Sequence, residues 1–447
     1  VSAIGAAKAS RSSKQYNEAA MSTAYRDSKG RPRVAVTGMG IVTSLGQGKE
    51  DNWAALTRGR SGIRPITRFP TDGLRTTIAG TVDFPDIGSY SAPVLSAAMA
   101  LAAGSEAIRQ ARIGSDAAFP GPLFLATPPA EFEWPQRRTL YDASSASGQK
   151  GYKRLLDAAR ASEWGEMQAL CKFASVAERV ARQLGTRGLP VSVSTACASG
   201  ATAIQLGVEA IRRGDTDAAL CIGTDSSVQI EALIRFSLLS ALSTRNDAPA
   251  EASRPFSKER DGFVMAEGAG ALVLESYQAA RARGAEILGV VLGCGEKADD
   301  YHRTRSKPDG SAIIGAISNA LADAGVTPGD IDYVNAHGTS TPENDKMEYL
   351  SLHAVLGDHL AATPVSSNKS MIGHTLSASG AIEAVFSLLT IQNGVLPPTI
   401  NCTTPDPEIP IDVVANTARP AQVRTVLSNS FGFGGQNVSL VLGAAEI

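Results

Sequence analysis

Four side chains in this sequence have the type and the setting to make and break bonds: Cys197, His337, His374 and Lys369. Cys197 sits in STACASG, where a β-rich run ends and a small-residue helix begins. A helix N-terminus carries partial positive charge and unpaired N–H groups, and both stabilise a thiolate and lower a cysteine pKa. Ala196, Ala198 and Gly200 leave room for a thioester to approach the backbone. Taken alone, Cys197 is either a nucleophile activated by its placement or a buried, inert thiol. Cys171, Cys221, Cys294 and Cys402 lack that setting and read as packing residues.

His337 lies in NAHGTST at a strand end, and His374 lies in NKSMIGHTLSASG in a loop leading to a helix. Of the five His, these two share Gly/Ser/Thr-rich strand-to-helix turns, and the matching context favours proton handling over packing. His302, His353 and His359 read as surface residues. Lys369 shares the His374 loop; it either neutralises a developing charge or faces solvent as most lysines do. Asp345 and Glu348 follow His337 three residues apart, on one face of a predicted helix, where they pair with Lys369 or face solvent. SNSFGFGGQNVSLVLG (428–443) is a Gly-rich turn between two strands that can aim backbone N–H groups at an oxyanion. It lacks the GKS or GKT of a P-loop, and a strand follows it, which argues against a dinucleotide fingerprint.

Elements that alternate between strand and helix must hold these residues, and the pattern points to α/β architecture. Residues 1–33 read as a polar, basic arm without the apolar run of a secretory signal, with Met21 a candidate start. Folded sequence starts at Val34. Helices are predicted over 95–112, 153–185, 201–213, 311–324, 343–357 and 379–393. VSVSTACASGATAI (191–204) aligns with VSSNKSMIGHTLSASGAI (365–382), and 105–127 parallels 318–339 in the same order, so the chain reads as two duplicated halves, 34–285 and 286–447.

The 447 residues are 43% hydrophobic and 19% charged, a globular composition. A formal net charge of −2 argues against a nucleic-acid binder. No apolar run approaches the roughly 20 residues of a membrane span. Five scattered Cys without a CxxC pair argue against a disulfide scaffold or a cysteine zinc site and for a reducing compartment, hence the cytoplasm.

The set STACASG, ALSTRND, SRPFSKERDGFVMAEGAGALVLE, NAHGTSTPENDKMEYL, SNKSMIGH and NSFGFGGQN resembles the β-ketoacyl-acyl-carrier-protein synthases, most closely the type II condensing enzymes. The resemblance runs from about Val34 to Gly443. It implies a thiolase-like fold of five αβαβα layers with two pseudo-repeated halves, and a dimer. It implies a decarboxylative Claisen condensation of malonyl and acyl thioesters, with no metal or other cofactor, the phosphopantetheine arriving on acyl carrier protein. By the same resemblance Cys197 accepts the acyl group, and His337 and His374 handle malonyl decarboxylation. Lys369 is the active-site lysine, with Asp345 and Glu348 the carboxylates behind it. Phe433 is the gate, its N–H joining that of Cys197 in the oxyanion hole, and Thr339 and Thr341 bind the phosphopantetheine arm.

Two other readings share these motifs: a type II polyketide ketosynthase, and a chain-length-setting subunit of a heterodimer. Such subunits usually lose the nucleophile, and Cys197 is present. A coenzyme A thiolase would typically need a second Cys in 428–443, and there is none. The segment 120–190 departs from the family: TPPAEFEW replaces a Gly-rich loop, and a predicted helix over 164–184 replaces a Phe- and Pro-containing stretch. That region shapes the acyl pocket and dimer contact, which leads us to expect an unusual or long acyl chain and leaves homodimer and heterodimer both open. Arg303 and Arg305 would meet a phosphate or an acidic carrier, or be solvated.

Overall fold

The computed structural model describes residues 25–446 apart from 89, 115–117, 130, 146–147 and 161–163. One large sheet has eleven strands: β1 (Val34–Thr43), β2 (Gly46–Gln47), β3 (Leu123–Ala126), β4 (Val191–Val193), β5 (Ala218–Asp225), β6 (Gly268–Ser276), β7 (Gly289–Ala298), β8 (Tyr333–Asn335), β9 (Val365–Ser366), β10 (Thr425–Phe431) and β11 (Gln436–Gly443). The helices are α1 (Lys49–Thr57), α2 (Ala92–Ala111), α3 (Trp134–Ser145), α4 (Gly151–Arg160), α5 (Gly165–Leu170), α6 (Ser175–Leu184), α7 (Ser199–Arg213), α8 (Ile230–Leu238), α9 (Tyr277–Ala282), α10 (Ser311–Ala324), α11 (Pro342–Leu356), α12 (Lys369–Ile372) and α13 (Ser379–Asn393).

The strands carry the duplication. The first half is ordered β4-β3-β5-β6-β1 and the second β9-β8-β10-β11-β7, the same connectivity from edge to seam. Three parallel strands are followed by two antiparallel ones in each half. The halves join where Val34–Val36 pair with Gly289–Val291. β1, β5 and β6 are buried along their whole length, as strands covered on both faces must be.

Helices α2 and α6 pack on the outer face of the first half, and α10 and α11 on that of the second. Between them α7 and α13 share a core with strands of both halves, which completes five αβαβα layers and a thiolase-like fold. In α13 every residue from Ser379 to Thr390 is buried. Small residues set these distances. A Cβ on Gly200 would fall 2.6 Å from the Ala381 nitrogen, and one on Gly380 would fall 2.5 Å from the Ala201 nitrogen. The two central helices therefore touch backbone to backbone at the Ser-Gly-Ala that each repeat contributes.

Two stretches differ from the sequence expectation. The helix predicted over 153–185 is three helices, α4, α5 and α6, with turns at 171–174. α3 precedes them; of its residues only Ser144 is buried, so it has no apolar stripe to mark it. Of the expected arm, residues 1–24 lie outside the described residues. Tyr25–Arg33 forms a turn in which the Arg33 N–H donates to the Tyr25 carbonyl (2.9 Å) and Arg31 pairs with Asp323 of α10 (2.7 Å). Among the described residues no helix is long and apolar enough to cross a membrane.

Candidate active site

Cys197 follows β4 on a tight turn. The Ala198 and Ser199 N–H groups donate to the Thr195 and Ala196 carbonyls, both at 3.1 Å, and Ala196 takes φ +49°, a left-handed conformation that a residue with a Cβ rarely adopts. The turn lifts Cys197 onto the start of α7. The duplicate element in the second half, α13, is preceded by His374, and the close approaches of Gly200 to Ala381 and of Gly380 to Ala201 bring the two helix starts together.

The His374 Nε2 lies 3.2 Å from the Cys197 Sγ. Its Nδ1 accepts the Leu376 N–H (3.3 Å) and lies 3.0 Å from the Ser379 Oγ. An Nδ1 that accepts a backbone N–H carries no proton, so the proton sits on Nε2, facing the sulfur. His337 stands 5.2 Å away, ring to ring, at 83°. The Lys369 Nζ is 3.3 Å from its Nδ1, and an ammonium can only donate there, so His337 too presents Nε2–H to the cavity. Burial first, then the Lys369 charge, hold both imidazoles well below the usual histidine range, so both are neutral near pH 7.

Lys369 is 1% exposed and forms an ion pair with Glu383, a residue the sequence reading missed. The signal was available: Glu383 is the one charged residue in the otherwise uncharged α13 sequence SGAIEAVFSLLTIQN. Burial pushes the Glu383 carboxyl up to about 7 against the pull of Lys369. Asp345 and Glu348, expected behind the lysine, do not pair with it. Glu348 accepts the His337 and Gly338 N–H groups (2.8 Å each) and the Asn429 amide (3.2 Å), while burial raises it to about 7. It fixes the backbone of His337. Asp345 accepts the Phe256 N–H (2.9 Å) and lies 3.7 Å from Arg260. The reason is directional: α11 runs past the start of the His337 turn, where bare N–H groups need acceptors, whereas α13 passes beneath Lys369.

Cys197 also corrects an expectation. The helix start alone argued for a lowered pKa. Burial outweighs it and pushes the thiol up to about 11, with the Phe433 N–H and the Lys369 charge working the other way. Phe433 thus has its backbone N–H at the sulfur, and its half-buried ring lies 6.4 Å from that of Phe236. Gly432 keeps this loop close: a Cβ there would fall 3.1 Å from the Cys197 nitrogen.

Cys197, His337, His374, Phe433, Thr339 and Thr341 line one cavity of about 500 Å³. The Thr339 and Thr341 hydroxyls are 2.9 Å apart on its wall, and Thr341 caps α11 by accepting the Asn344 N–H. Arg305 lines the cavity and is exposed; Arg303, also exposed, offers its carbonyl to the Gly434 N–H. The ligating atoms of Cys197, His337 and His374 lie within 4.8 Å of one another, the one such group of three among the described residues that could hold a metal ion. The unprotonated imidazole nitrogens, however, face Ser379 and Lys369, so a metal at the cavity side would have to displace a proton from each Nε2.

Comparison with known proteins adds to this geometry. Residues 31–280 match the family described as "Beta-ketoacyl synthase, N-terminal domain", and residues 288–403 match "Beta-ketoacyl synthase, C-terminal domain". The chain is 37% identical over 416 residues to "3-oxoacyl-[acyl-carrier-protein] synthase 2" of Coxiella burnetii, covering 92% of this chain and 98% of that protein. It is 38% identical over 419 residues to the "Tetracenomycin polyketide synthase ketoacyl synthase alpha subunit" of Streptomyces glaucescens, covering 92% and 96%. Among solved structures, a type II PKS acyl-carrier protein in complex with its ketosynthase bound to the hexaketide aligns with TM-score 0.81 at 31% identity, over 93% of this chain and all of that one. The ishigamide ketosynthase/chain length factor aligns with TM-score 0.78 at 35% identity, over 93% and 99%.

Proposed function

The chain belongs to the β-ketoacyl synthase family, and from that premise we propose that it is a 3-oxoacyl-[acyl-carrier-protein] synthase whose reaction is carried by Cys197, His337, His374 and Lys369. The observation that supports the residue roles best is the Cys197 sulfur held between the His374 Nε2–H and the Phe433 N–H.

In the proposed cycle the Cys197 sulfur attacks the acyl thioester. Because the thiol rests protonated, its proton leaves as the S–C bond forms and ends on the departing phosphopantetheine sulfur. The tetrahedral oxygen meets the Cys197 and Phe433 N–H groups; loss of one such donor typically costs about 3 kcal/mol. A malonyl thioester then enters along Thr339 and Thr341. Its Cα–carboxylate bond breaks, carbon dioxide leaves, and the electron pair becomes an enolate. Two neutral imidazoles donate Nε2–H bonds to the enolate oxygen, and the Lys369–Glu383 pair keeps His337 in the donating tautomer. The carbanion attacks the acyl-Cys197 carbonyl, the C–S bond breaks, and the product is a 3-oxoacyl thioester two carbons longer; the Cys197 thiolate released takes up one proton from water, which closes the cycle. The cycle calls on no metal or redox cofactor.

We infer that the thioesters arrive on an acyl carrier protein, an acidic partner for which exposed Arg305 on the cavity lining and Arg303 two residues before it offer cations. A dimer is supported by exposed apolar residues on the outer strand and beside it: Leu189 and Val191 at β4, and Leu238 on α8. A cytoplasmic setting is supported by five free cysteines. The test is intact mass after incubation with a panel of acyl-carrier-protein thioesters. An acyl adduct on wild type and none on Cys197→Ala supports the reading; folded protein with no adduct from any chain sinks it.

A further inference from the structure

The backbone of His374 is pinned from both sides. Its N–H donates to the Val264 carbonyl (2.7 Å), and its carbonyl accepts the Ala266 N–H (2.9 Å). That does not fix the ring, which turns on two side-chain torsions, and a hydrogen bond weakens steeply as its angle closes. The ring is held by what meets Nδ1. One partner, the Leu376 N–H at 3.3 Å, lies in the same loop and moves with the histidine. The other is the Ser379 hydroxyl at 3.0 Å, at the start of α13.

Resting on the synthase reading above, we propose that Ser379 is a positioning residue for malonyl decarboxylation: it ties the His374 ring to α13 and so to the helix that carries Cys197. Proton accounting sets the direction of the bond. The Nδ1 that accepts the Leu376 N–H carries no proton, so Ser379 donates to it. The Ser379 oxygen in turn lies 3.2 Å from the Thr375 Oγ1 and can accept its proton. Thr375, Ser379 and Nδ1 then form a chain in which each O–H points toward the ring, and bonds in such a chain strengthen one another. Ser379 and Thr375 are both buried, which keeps water from competing for the imidazole. One residue on, Gly380 meets Ala201 of α7. The ring and the sulfur are therefore both referred to the same pair of helices, and Nε2–H keeps its aim into the cavity.

The first half holds the matching serine in a different duty. The Ser199 hydroxyl donates to the Ala196 carbonyl (2.5 Å) and accepts the Thr195 N–H (2.8 Å), which shapes the Cys197 turn. Among the described residues the Ser379 hydroxyl has side-chain partners only, His374 and Thr375. One repeat thus uses its serine to set the backbone under the sulfur, and the other to set an imidazole above it.

Two reactions of the full chain test this. One is carbon dioxide release from malonyl carrier-protein thioester by octanoyl-loaded enzyme; the other is loading of Cys197 by octanoyl carrier protein, followed by intact mass over time. Ser379→Ala should lower kcat for carbon dioxide release about tenfold, the scale of one hydrogen bond to a buried group. The KM for the malonyl thioester and the rate of loading should stay within about twofold, because Ser379 touches neither substrate. Ser379→Thr, which keeps the hydroxyl, should restore most of the loss. Thr375→Val removes the donor behind Ser379 and should show the same split at about threefold; it carries the test should the Ser379 variants not fold. Carbon dioxide release unchanged in Ser379→Ala, or a fall of equal size in both reactions, would overturn the proposal and leave the synthase reading standing. Folded wild type that neither loads nor releases carbon dioxide would overturn the synthase reading and this inference with it.

Discussion

Gly380→Ala is the smallest change that should separate the two halves of the site. Two effects oppose each other. In a helix, Ala is favoured over Gly by about 1 kcal/mol. The new Cβ, however, would lie 2.5 Å from the Ala201 nitrogen, 2.8 Å from the Ala201 Cβ and 2.9 Å from the Ser430 Oγ. Ordinary carbon contacts need about 3.5 Å or more, so α7 must retreat by roughly 1 Å. Overpacking of this kind costs about 1–3 kcal/mol, which exceeds the propensity gain. The same shift would stretch the 3.2 Å separation of His374 Nε2 and Cys197 Sγ beyond hydrogen-bond range, and a 1 Å misplacement is worth about 10²-fold in rate. The assay pairs guanidinium unfolding with the rate of condensation. Gly165→Ala is the control, because a Cβ there meets nothing within 4 Å. A Gly380→Ala protein with wild-type stability and rate would refute the claim that this contact sets the geometry of the site.

Other outcomes follow from the same structure. Glu383→Gln leaves the Lys369 ammonium buried without its partner and should destabilise the fold by about 3–5 kcal/mol in guanidinium titration. The rate of malonyl decarboxylation should hold level as pH falls through the usual histidine range, since both imidazoles stay neutral there, and in Lys369→Met its acid limb should move to higher pH, because the lysine charge is one cause of the depressed values; an unmoved limb counts against that coupling. Glu348 has a folded pKa of about 7, above its unfolded value of 4.5, so its contribution is present below 4.5 and lost as pH rises through 7. Wild-type stability relative to Glu348→Gln should therefore fall by about 3 kcal/mol over that window, read by thermal unfolding at each pH. Leu189→Asp combined with Leu238→Asp should halve the mass seen by light scattering if β4 and α8 face a second copy.

Cys197 and both cavity histidines were legible as candidates because their turns are written in local sequence: small residues after a β-rich run, at matching places in two repeats. The layered fold was legible for the same reason. What failed was what depends on direction across the core. Asp345 and Glu348 lie on the face that meets bare backbone N–H groups, which a one-dimensional spacing cannot separate from the face that would meet Lys369. Glu383 lies fourteen residues after Lys369 and on a different helix, so no helical offset links them. The Cys197 pKa reversed because the helix start is local and burial is not. The helix over 134–145 escaped because it lies mostly exposed, with Ser144 its one buried residue, and so carries no apolar stripe.

The contact between Gly200 and Ala381 also sets a schedule for folding. It joins positions about 180 residues apart in the chain, and so do the sulfur and imidazole it aligns. Closing loops of that span is entropically uphill until much else is in place, and such contacts slow folding. During synthesis the first half emerges with α7 lacking its partner helix, so the cavity that both halves line is not complete until the second half arrives. The His374 ring and the Phe433 N–H that meet the Cys197 sulfur therefore arrive only with the second half, and damage to either half breaks the arrangement.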